Sequence, residues 1–369
     1  HGKVNVTSLV ERVSRFTVVM RNEDRQSKPI MEALIQGLSP LPADAPRPRA
    51  LTLMQAVAAA RESVAFMTEL PIDQVVAVAP AQEGWSVTID LVEARLIERF
   101  SGGVSGAEAD PLAARRTTRA YCHLTDCLVR VVLHVARTHL HPNPLPSESE
   151  RVAVMAVGGY GRGEMAPYSD VDLLFVTPWK MTPAVENVIE STLYMLWDLR
   201  MKVGHASRTV KECLRLGKQD VTIRTSLLEM RFITGEQVIA EDLQTALREQ
   251  LFEGTVGEFI EAKLEERDTR HEKQGGQRYM LEPNVKEGKG GLRDLQTLYW
   301  IAKYEHGVSR IGDLVEPGHF RPEEFAAFDA AERFLWAVRC HLHLIAGRAQ
   351  DQLTFDNQVQ VAERMSYVD

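Results

Sequence analysis

Apolar residues along the chain follow helical spacing in some stretches and strand patterns in others. Between residues 112 and 139 they recur about every 3.6 positions, which predicts a long amphipathic helix. Its apolar stripe consists of Leu124, Cys127, Leu128, Val131, Val132 and Val135. Uninterrupted apolar residues at 152–157, and again after Asp172, indicate two buried strands. A further strand is predicted at 203–210, and the sequence beyond residue 240 is predicted to be helical.

The first hundred residues follow shorter patterns. Two β-branched runs, 4–7 and 16–19, flank a charged stretch and are typical of short strands. The prolines between residues 40 and 48 indicate a linker, because proline continues neither a helix nor a sheet ladder. A helix and a hairpin are predicted within 49–103, where apolar and polar residues alternate at 85–91. We therefore expect small α+β segments ahead of residue 104.

Composition and charge exclude several classes of protein. The hydrophobic fraction of 44% and the charged fraction of 25% are those of a soluble globular chain, which at 369 residues predicts two or three domains. A net charge of −8 argues against nucleic acid as the main partner, and no apolar run reaches the roughly 20 residues of a membrane span. The four cysteines lack metal-ligand spacing, which favours buried thiols in a reducing, cytoplasmic compartment.

The most informative stretch is a glycine-rich turn between the two predicted strands of residues 152–177. Its glycines do not have the spacing of a dinucleotide fingerprint, and the Lys-Ser/Thr pair of a Walker loop is missing. Such a turn lets backbone amides approach a polyphosphate without obstruction by side chains. The predicted nucleotide-binding residues belong to this turn and to its polar continuation: Gly158, Gly159, Gly161, Arg162 and Ser169.

Two aspartates open the second strand. Asp170 and Asp172 are two residues apart, so their side chains are expected to project from the same face. Neighbouring carboxylates repel each other, and Mg²⁺ prefers such oxygens together with substrate phosphates. Two ions about 3.5–4 Å apart can hold the attacking and leaving oxygens of an in-line phosphoryl displacement. We therefore predict that Asp170 and Asp172 are catalytic and bind Mg²⁺, while Ser169 holds a triphosphate and Arg162 neutralises charge.

The same string resembles the signature of the polymerase-β-like nucleotidyltransferase superfamily, in which a Gly-Gly turn is followed by Asp-x-Asp. From residue 158 onwards it reads GGYGRGEMAPYSDVDLL, a form similar to that of the bacterial PII uridylyltransferases. Residues 281–294, LEPNVKEGKGGLRD, are similar to a second hallmark of these bifunctional uridylyltransferase/uridylyl-removing enzymes. Residues 197–205 and 347–353 agree with it. The resemblance covers residues from about 110 to 369.

The resemblance implies an α+β fold, with a polymerase-β-like nucleotidyltransferase core and a flanking helical domain. It implies transfer of UMP from UTP to a tyrosine of the PII nitrogen-regulatory protein, with release of pyrophosphate. UTP and the PII signalling protein are then the expected partners. Asp170 and Asp172 correspond to the metal-binding aspartates of the family, and Gly158 and Gly159 to its nucleotide-phosphate loop.

The expected domain order combines several resemblances. Residues 1–48 are similar to a fragment of an RNase H-like insertion-sequence transposase, and residues 49–103 resemble the gas vesicle protein O family. A nucleotidyltransferase domain at 104–240 and a helical domain at 241–369 follow. We expect residues 1–103 of this composite chain to be functionally silent. Uridylyl removal and glutamine sensing, which the family carries in further domains, are expected to be missing from these 369 residues.

Two questions about the site stay open at this stage. The superfamily usually has a third carboxylate on a later strand, but the predicted strand 203–210 contains His205 and no acid, which leaves Asp198 and Glu229 as candidates. The glycines at 288–291 either form a loop that closes over a nucleotide or cap two helices. The basic residues around these glycines are Lys286, Lys289 and Arg293.

The alternatives to uridylyl transfer are of two kinds. The aspartate pair predicts phosphoryl chemistry only, so a nucleotidyltransferase with another base or another acceptor fits it equally well. A non-catalytic scaffold that retains the fold belongs to a different class, and the missing third carboxylate favours it.

Overall fold

The computed structural model describes residues 5–11, 16–22 and 113–367, apart from short gaps at 144, 146, 200, 276–278, 309–310 and 316–319. Two strands near the start, β1 (Asn5–Glu11) and β2 (Phe16–Asn22), pair in antiparallel fashion. They overlap the two β-branched runs that predicted strands. The helix and hairpin predicted within 49–103 lie outside the described residues.

A four-stranded sheet forms the centre of the larger described part. Its strands are β3 (Ala153–Ala156), β4 (Val171–Thr177), β5 (Val203–Thr209) and β6 (Arg231–Gly235). The order across the sheet is β5-β4-β3-β6. Strands β4 and β5 run parallel, and β3 is antiparallel to both β4 and β6. Both edges of the sheet are therefore formed by strands that follow the glycine turn in sequence.

Helices accompany the sheet and continue beyond it. They are α1 (Ala113–Val135), α2 (Gly158–Gly161), α3 (Pro183–Asp198), α4 (Val210–Gln219), α5 (Val221–Leu228), α6 (Gln237–Leu247), α7 (Val256–Lys273), α8 (Leu292–His306), α9 (Pro322–Ala346) and α10 (Phe355–Arg364). The helix predicted at 112–139 is α1 with the π-helical turn that follows it, Ala136–Leu140. No helix in the described part of the chain is apolar over a length that could span a membrane.

Both faces of the central strands are buried, which explains their uninterrupted apolar sequences. On one face, Val154 and Phe175 pack with residues of α1 and α3. On the other face, Met155 and Leu174 pack with residues of α4, α5 and α6. The mixed sheet with helices on both faces confirms the predicted α+β architecture. All four cysteines are buried and outside any disulfide, in agreement with the predicted buried thiols.

Helix α6 bears on the predicted division of the chain at residue 240. Its residues Ile239, Ala240, Leu243 and Leu247 are all buried in one cluster with β3 and β4. A division between residues 240 and 241 therefore falls inside a helix that belongs to the core of the sheet. The domain boundaries stay predictions, and α6 argues for a later start of the helical part.

Candidate active site

The glycine turn begins where β3 ends. Gly158 has φ +60°, a left-handed conformation that favours glycine, and it starts the single helical turn α2. A Cβ built on Gly158 would lie 3.3 Å from Oδ2 of Asp172. The turn thus brings backbone without a side chain up to the Asp172 carboxylate near the start of β4.

Gly161 has a packing role in this turn. A Cβ at Gly161 would lie only 2.3 Å from the carbonyl oxygen of Glu229 and 3.0 Å from that of Ala156. Gly161 is buried between these carbonyls, so close backbone approach requires glycine there. A nucleotide contact for Gly161 stays a prediction, and the structure supplies a different reason for the residue. A Cβ on Gly159 would lie 3.1 Å from the carbonyl oxygen of Glu164.

A buried tyrosine ties the turn to helix α1. The Tyr160 hydroxyl donates to Oδ1 of Asp126 at 2.6 Å, and Arg231 of β6 donates to Oδ2 of the same carboxylate at 2.7 Å. Burial and the nearby Asp126 charge raise the pKa of Tyr160 well above its ordinary value, so the hydroxyl stays a donor. The turn is therefore held from behind by a charge-assisted hydrogen bond.

The guanidinium of Arg162 is paired with carboxylates inside the protein. Its side chain is only 8% exposed, donates to Glu164 at 2.9 Å and is paired with the buried carboxylate of Glu229. Trp300 of α8 donates its indole N–H to the same Glu229 carboxylate. Burial alone would lower the pKa of Arg162, but the two carboxylates raise it above its ordinary value. Two carboxylates inside the protein thus already pair with the Arg162 charge, and a contact of Arg162 with a nucleotide stays a prediction.

The two predicted metal ligands lie side by side at the start of β4. Asp170 precedes the strand by one residue, whereas Asp172 belongs to it, and both are exposed. Partial loss of solvation by the carboxylate and the Asp170 charge raise the pKa of Asp172, and the Lys286 charge opposes this shift. Ser169 comes immediately before Asp170, at the end of a turn in which its N–H donates to the Ala166 carbonyl at 3.1 Å.

Strand β5 forms the edge of the sheet next to β4 and lies close to Asp172. Gly204 is the register partner of Asp172, and a Cβ built on it would lie 2.7 Å from Oδ1 of that carboxylate. The strand contains no acidic residue, as the sequence predicts. Among the candidates for a third carboxylate, Glu229 is excluded because Arg162 and Trp300 occupy it. Asp198 lies exposed in the last turn of α3.

The chemistry of this corner fits Mg²⁺. Two carboxylates stand beside two glycines whose missing side chains leave room around the oxygens of Asp172. Among the described residues, no group of three or more His, Cys, Asp and Glu side chains could hold a metal ion. Magnesium is commonly bound by one or two carboxylates together with substrate phosphates, so a pair of aspartates is a suitable set.

The second motif, 281–294, pairs with the segment 347–353. The Val285 N–H donates to the Asp351 carbonyl at 2.8 Å, and the Leu353 N–H donates to the Pro283 carbonyl at 2.9 Å. Gly291 is the N-cap of α8, and the Asp294 carboxylate in its first turn accepts from the Gly290 N–H at 2.7 Å. The helix-capping interpretation of these glycines is therefore confirmed for the start of α8.

The three basic residues of this motif have different surroundings. Arg293 donates to Glu287 at 3.1 Å and to Gln296 at 2.9 Å, and Lys289 is exposed. Lys286 is partly buried, and its charge acts on Asp172. Burial and the Arg339 charge lower the pKa of Lys286. Sequence reasoning could not single out Lys286, because the three residues differ only in their folded surroundings.

Asp351 and His343 link the helical part of the chain to the segment just before Asp170. Its Oδ1 accepts from Arg339 at 2.7 Å and lies 3.2 Å from Nε2 of His343. The other ring nitrogen of His343, which is fully buried, donates to the Pro167 carbonyl. Burial alone would raise the pKa of Asp351, but these two partners hold it far below its ordinary value. Sequence analysis included Asp351 only within the motif 347–353 and missed this role.

Comparison with known proteins identifies relatives of the stretch that contains the site. The family model for GlnD PII-uridylyltransferase matches residues 258–369, and the nucleotidyltransferase domain model matches residues 144–224. The bifunctional uridylyltransferase/uridylyl-removing enzyme of Cereibacter sphaeroides is 64% identical over 262 residues, 71% of this chain and 28% of that protein. The enzyme of Ruegeria pomeroyi is 62% identical over 264 residues, which are 72% of this chain and 29% of that protein. The enzyme of Azospirillum brasilense is 47% identical over 289 residues, which are 76% of this chain and 31% of that protein.

This stretch is homologous to the uridylyltransferase/uridylyl-removing enzymes. The resemblance drawn from the two long motifs is thereby confirmed, and the nucleotidyltransferase match agrees with a polymerase-β-like core built on β3, β4 and β5. The chain spans less than a third of the length of the curated relatives described above. The gas vesicle synthesis protein GvpO model matches residues 42–99, close to the unit predicted at 49–103.

Proposed function

We propose that the homologous stretch transfers UMP from UTP to a tyrosine of a PII signalling protein and releases pyrophosphate. The observation that carries this proposal is the position of Asp170 and Asp172 beside Gly158, within a stretch 64% identical to a uridylyltransferase/uridylyl-removing enzyme. A cytoplasmic location, which the four cysteines predict, belongs to the same proposal.

The proposed reaction breaks a phosphoanhydride bond of UTP and forms a phosphodiester bond to tyrosine. The tyrosyl oxygen forms a bond to the α-phosphorus of UTP, the bond from that phosphorus to the bridging oxygen breaks, and pyrophosphate leaves. The phenolic proton passes to solvent, since β5 offers no carboxylate opposite Asp172. Mg²⁺ bound at Asp170 and Asp172 would supply charge stabilisation for the phosphates.

The chain's own residues orient the nucleotide in this proposal. The Gly158 and Gly159 amides bind the phosphates in this proposal, and Ser169 precedes Asp170 directly. Arg162 contributes indirectly, because its pairing with Glu164 and Glu229 fixes the end of the glycine turn. Pre-organised groups of this kind stabilise developing charge without having to move during the reaction.

A labelling experiment tests the proposal. The chain is incubated with α-³²P-UTP, Mg²⁺ and a PII protein, beside the double variant Asp170→Asn/Asp172→Asn and the exposed α6 control Asp242→Asn. We expect label on PII from the intact chain and the control, and a loss of about 10³-fold or more in the double variant. A PII variant with phenylalanine in place of each candidate tyrosine should remain unlabelled.

The alternatives give different results in the same experiment. Label that appears on another acceptor, or with another nucleoside triphosphate, would indicate a nucleotidyltransferase of different specificity. A folded chain that binds no UTP at all would contradict the enzymatic proposal and support the non-catalytic scaffold, which the acid-free β5 favours.

A further inference from the structure

One lysine of the second motif has hydrogen-bonding capacity that its protein contacts do not use. The Lys286 ammonium lies 3.9 Å from Oδ2 of Asp351 and 3.9 Å from Oε1 of Glu287. Both distances exceed the roughly 2.7–3.2 Å of an N–H···O hydrogen bond. An ammonium group has three donors, and at these distances neither carboxylate receives one of them in a normal hydrogen bond.

The two nearby carboxylates already have other cationic partners. Asp351 accepts from Arg339 at 2.7 Å, and Glu287 accepts from Arg293 at 3.1 Å. These arginines satisfy the anions that would otherwise hold Lys286. A partly buried ammonium without close partners loses part of its hydration, and a bound anion would compensate for the free energy that this costs.

Contacts between the two parts of the chain place Lys286 next to the predicted catalytic corner. Asp351, its neighbour, is linked through His343 to the Pro167 carbonyl, three residues before Asp170. The Lys286 charge is also among those that act on the Asp172 carboxylate. Two residues, Asp351 and His343, therefore separate the Lys286 ammonium from the Pro167 carbonyl at the start of the connection to Asp170.

We propose that Lys286 binds the phosphates of the nucleoside triphosphate and stays with the pyrophosphate as it leaves. This inference rests on the proposed function, because it concerns the same site. Lysine suits the role as a compact point charge with rotatable donors, and it is a common phosphate ligand. Lys289 is exposed, and Arg293 is committed to Glu287 and Gln296, so Lys286 is the cation of the motif that can take this part.

Equilibrium binding of UTP and UMP with Mg²⁺ tests this role. The variants are Lys286→Met, the conservative Lys286→Arg, and the matched control Lys289→Met from the same motif. We expect Lys286→Met to weaken UTP binding about 10- to 100-fold, the range for one charge-assisted hydrogen bond. Binding of UMP, which lacks the β- and γ-phosphates, should change less than about threefold. Lys289→Met should behave as the intact chain, and Lys286→Arg should retain most of the affinity for UTP.

The ratio of UTP to UMP affinity separates a phosphate contact from a structural effect. A merely structural role for Lys286 would weaken both ligands equally, and that result would overturn the inference. Unchanged UTP binding in Lys286→Met would overturn it as well, while leaving the proposed function intact. Failure of the intact chain to bind UTP would instead overturn the proposed function, and the Lys286 inference with it.

Discussion

Gly204 offers a direct way to move the Asp172 carboxylate without removing it. A methyl group added at this position would lie 2.7 Å from Oδ1 of Asp172, whereas ordinary contacts of a Cβ begin at 3.4 Å. The carboxylate must therefore shift by about 0.7 Å, because it is the end of a side chain, whereas the backbone of β5 is held by its pairing with β4. The perturbation reaches one ligand of the predicted metal pair and leaves its charge in place.

The expected result of Gly204→Ala is a large loss of rate with little loss of stability. A displacement of about 1 Å at reacting groups costs on the order of 10²-fold in rate, so we expect UMP transfer to fall 30- to 100-fold, an order-of-magnitude estimate. Alanine suits a strand at least as well as glycine, so the free energy of unfolding should stay within about 1 kcal/mol of the intact chain. Initial rates with labelled UTP and urea unfolding measure the two quantities.

A double-mutant cycle shows whether the effect acts through Asp172. In an Asp172→Asn background, Gly204→Ala should cause little further loss of rate, because the ligand it displaces is already impaired. Gly257→Ala is a suitable control, since a Cβ at that helical position meets no atom within 4 Å. A fully active Gly204→Ala variant would refute the reasoning that the position of this carboxylate matters.

Two further predictions concern buried charge. Glu229→Gln removes the carboxylate that Arg162 and Trp300 share, so we expect the free energy of unfolding, measured in urea, to fall by about 3 kcal/mol. The control Glu253→Gln, at an exposed position, should lower it by less than about 0.5 kcal/mol. Equal stabilities of the two variants would contradict this prediction. Burial, helped by a nearby arginine charge, lowers the pKa of His341 from 6.5 to about 4. The unfolded chain therefore takes up the proton first on acidification, and up to about 3 kcal/mol of stability is lost as the pH falls from about 6.5 to about 4. Unfolding free energies measured across this interval should depend less on pH in His341→Gln, and an unchanged slope would show that other groups cause it.

Local patterns in the sequence were sufficient to predict the strands and the turn on which the candidate site is built. The apolar runs on either side of the glycine turn became β3 and β4, because strands buried on both faces need continuous apolar sequence. The pairing of Asp170 with Asp172 followed from their spacing alone. Strand β6 was missed because Arg231–Gly235 is short and only Ile233 within it is buried.

Contacts between distant residues explain what the sequence could not predict. Arg162 reads as a free cation beside a phosphate loop, but its partner Glu229 lies 67 residues away along the chain. The choice among Lys286, Lys289 and Arg293 likewise depends on which carboxylates the fold brings to each of them. Such pairings arise only when separate segments pack together, and no spacing within a motif contains them.

The bridge from Asp351 to Pro167 limits how far the chain can be shortened if the proposed active site is to keep its support. A fragment that ends after α6 would keep the glycine turn and both aspartates, yet it would lack Lys286, Asp351 and His343. The Pro167 carbonyl would lose its buried imidazole donor, and the connection to Asp170 would lose the support of α9. Engineering that exchanges nucleotide-handling units between such enzymes must therefore move residues up to at least 353 as one piece.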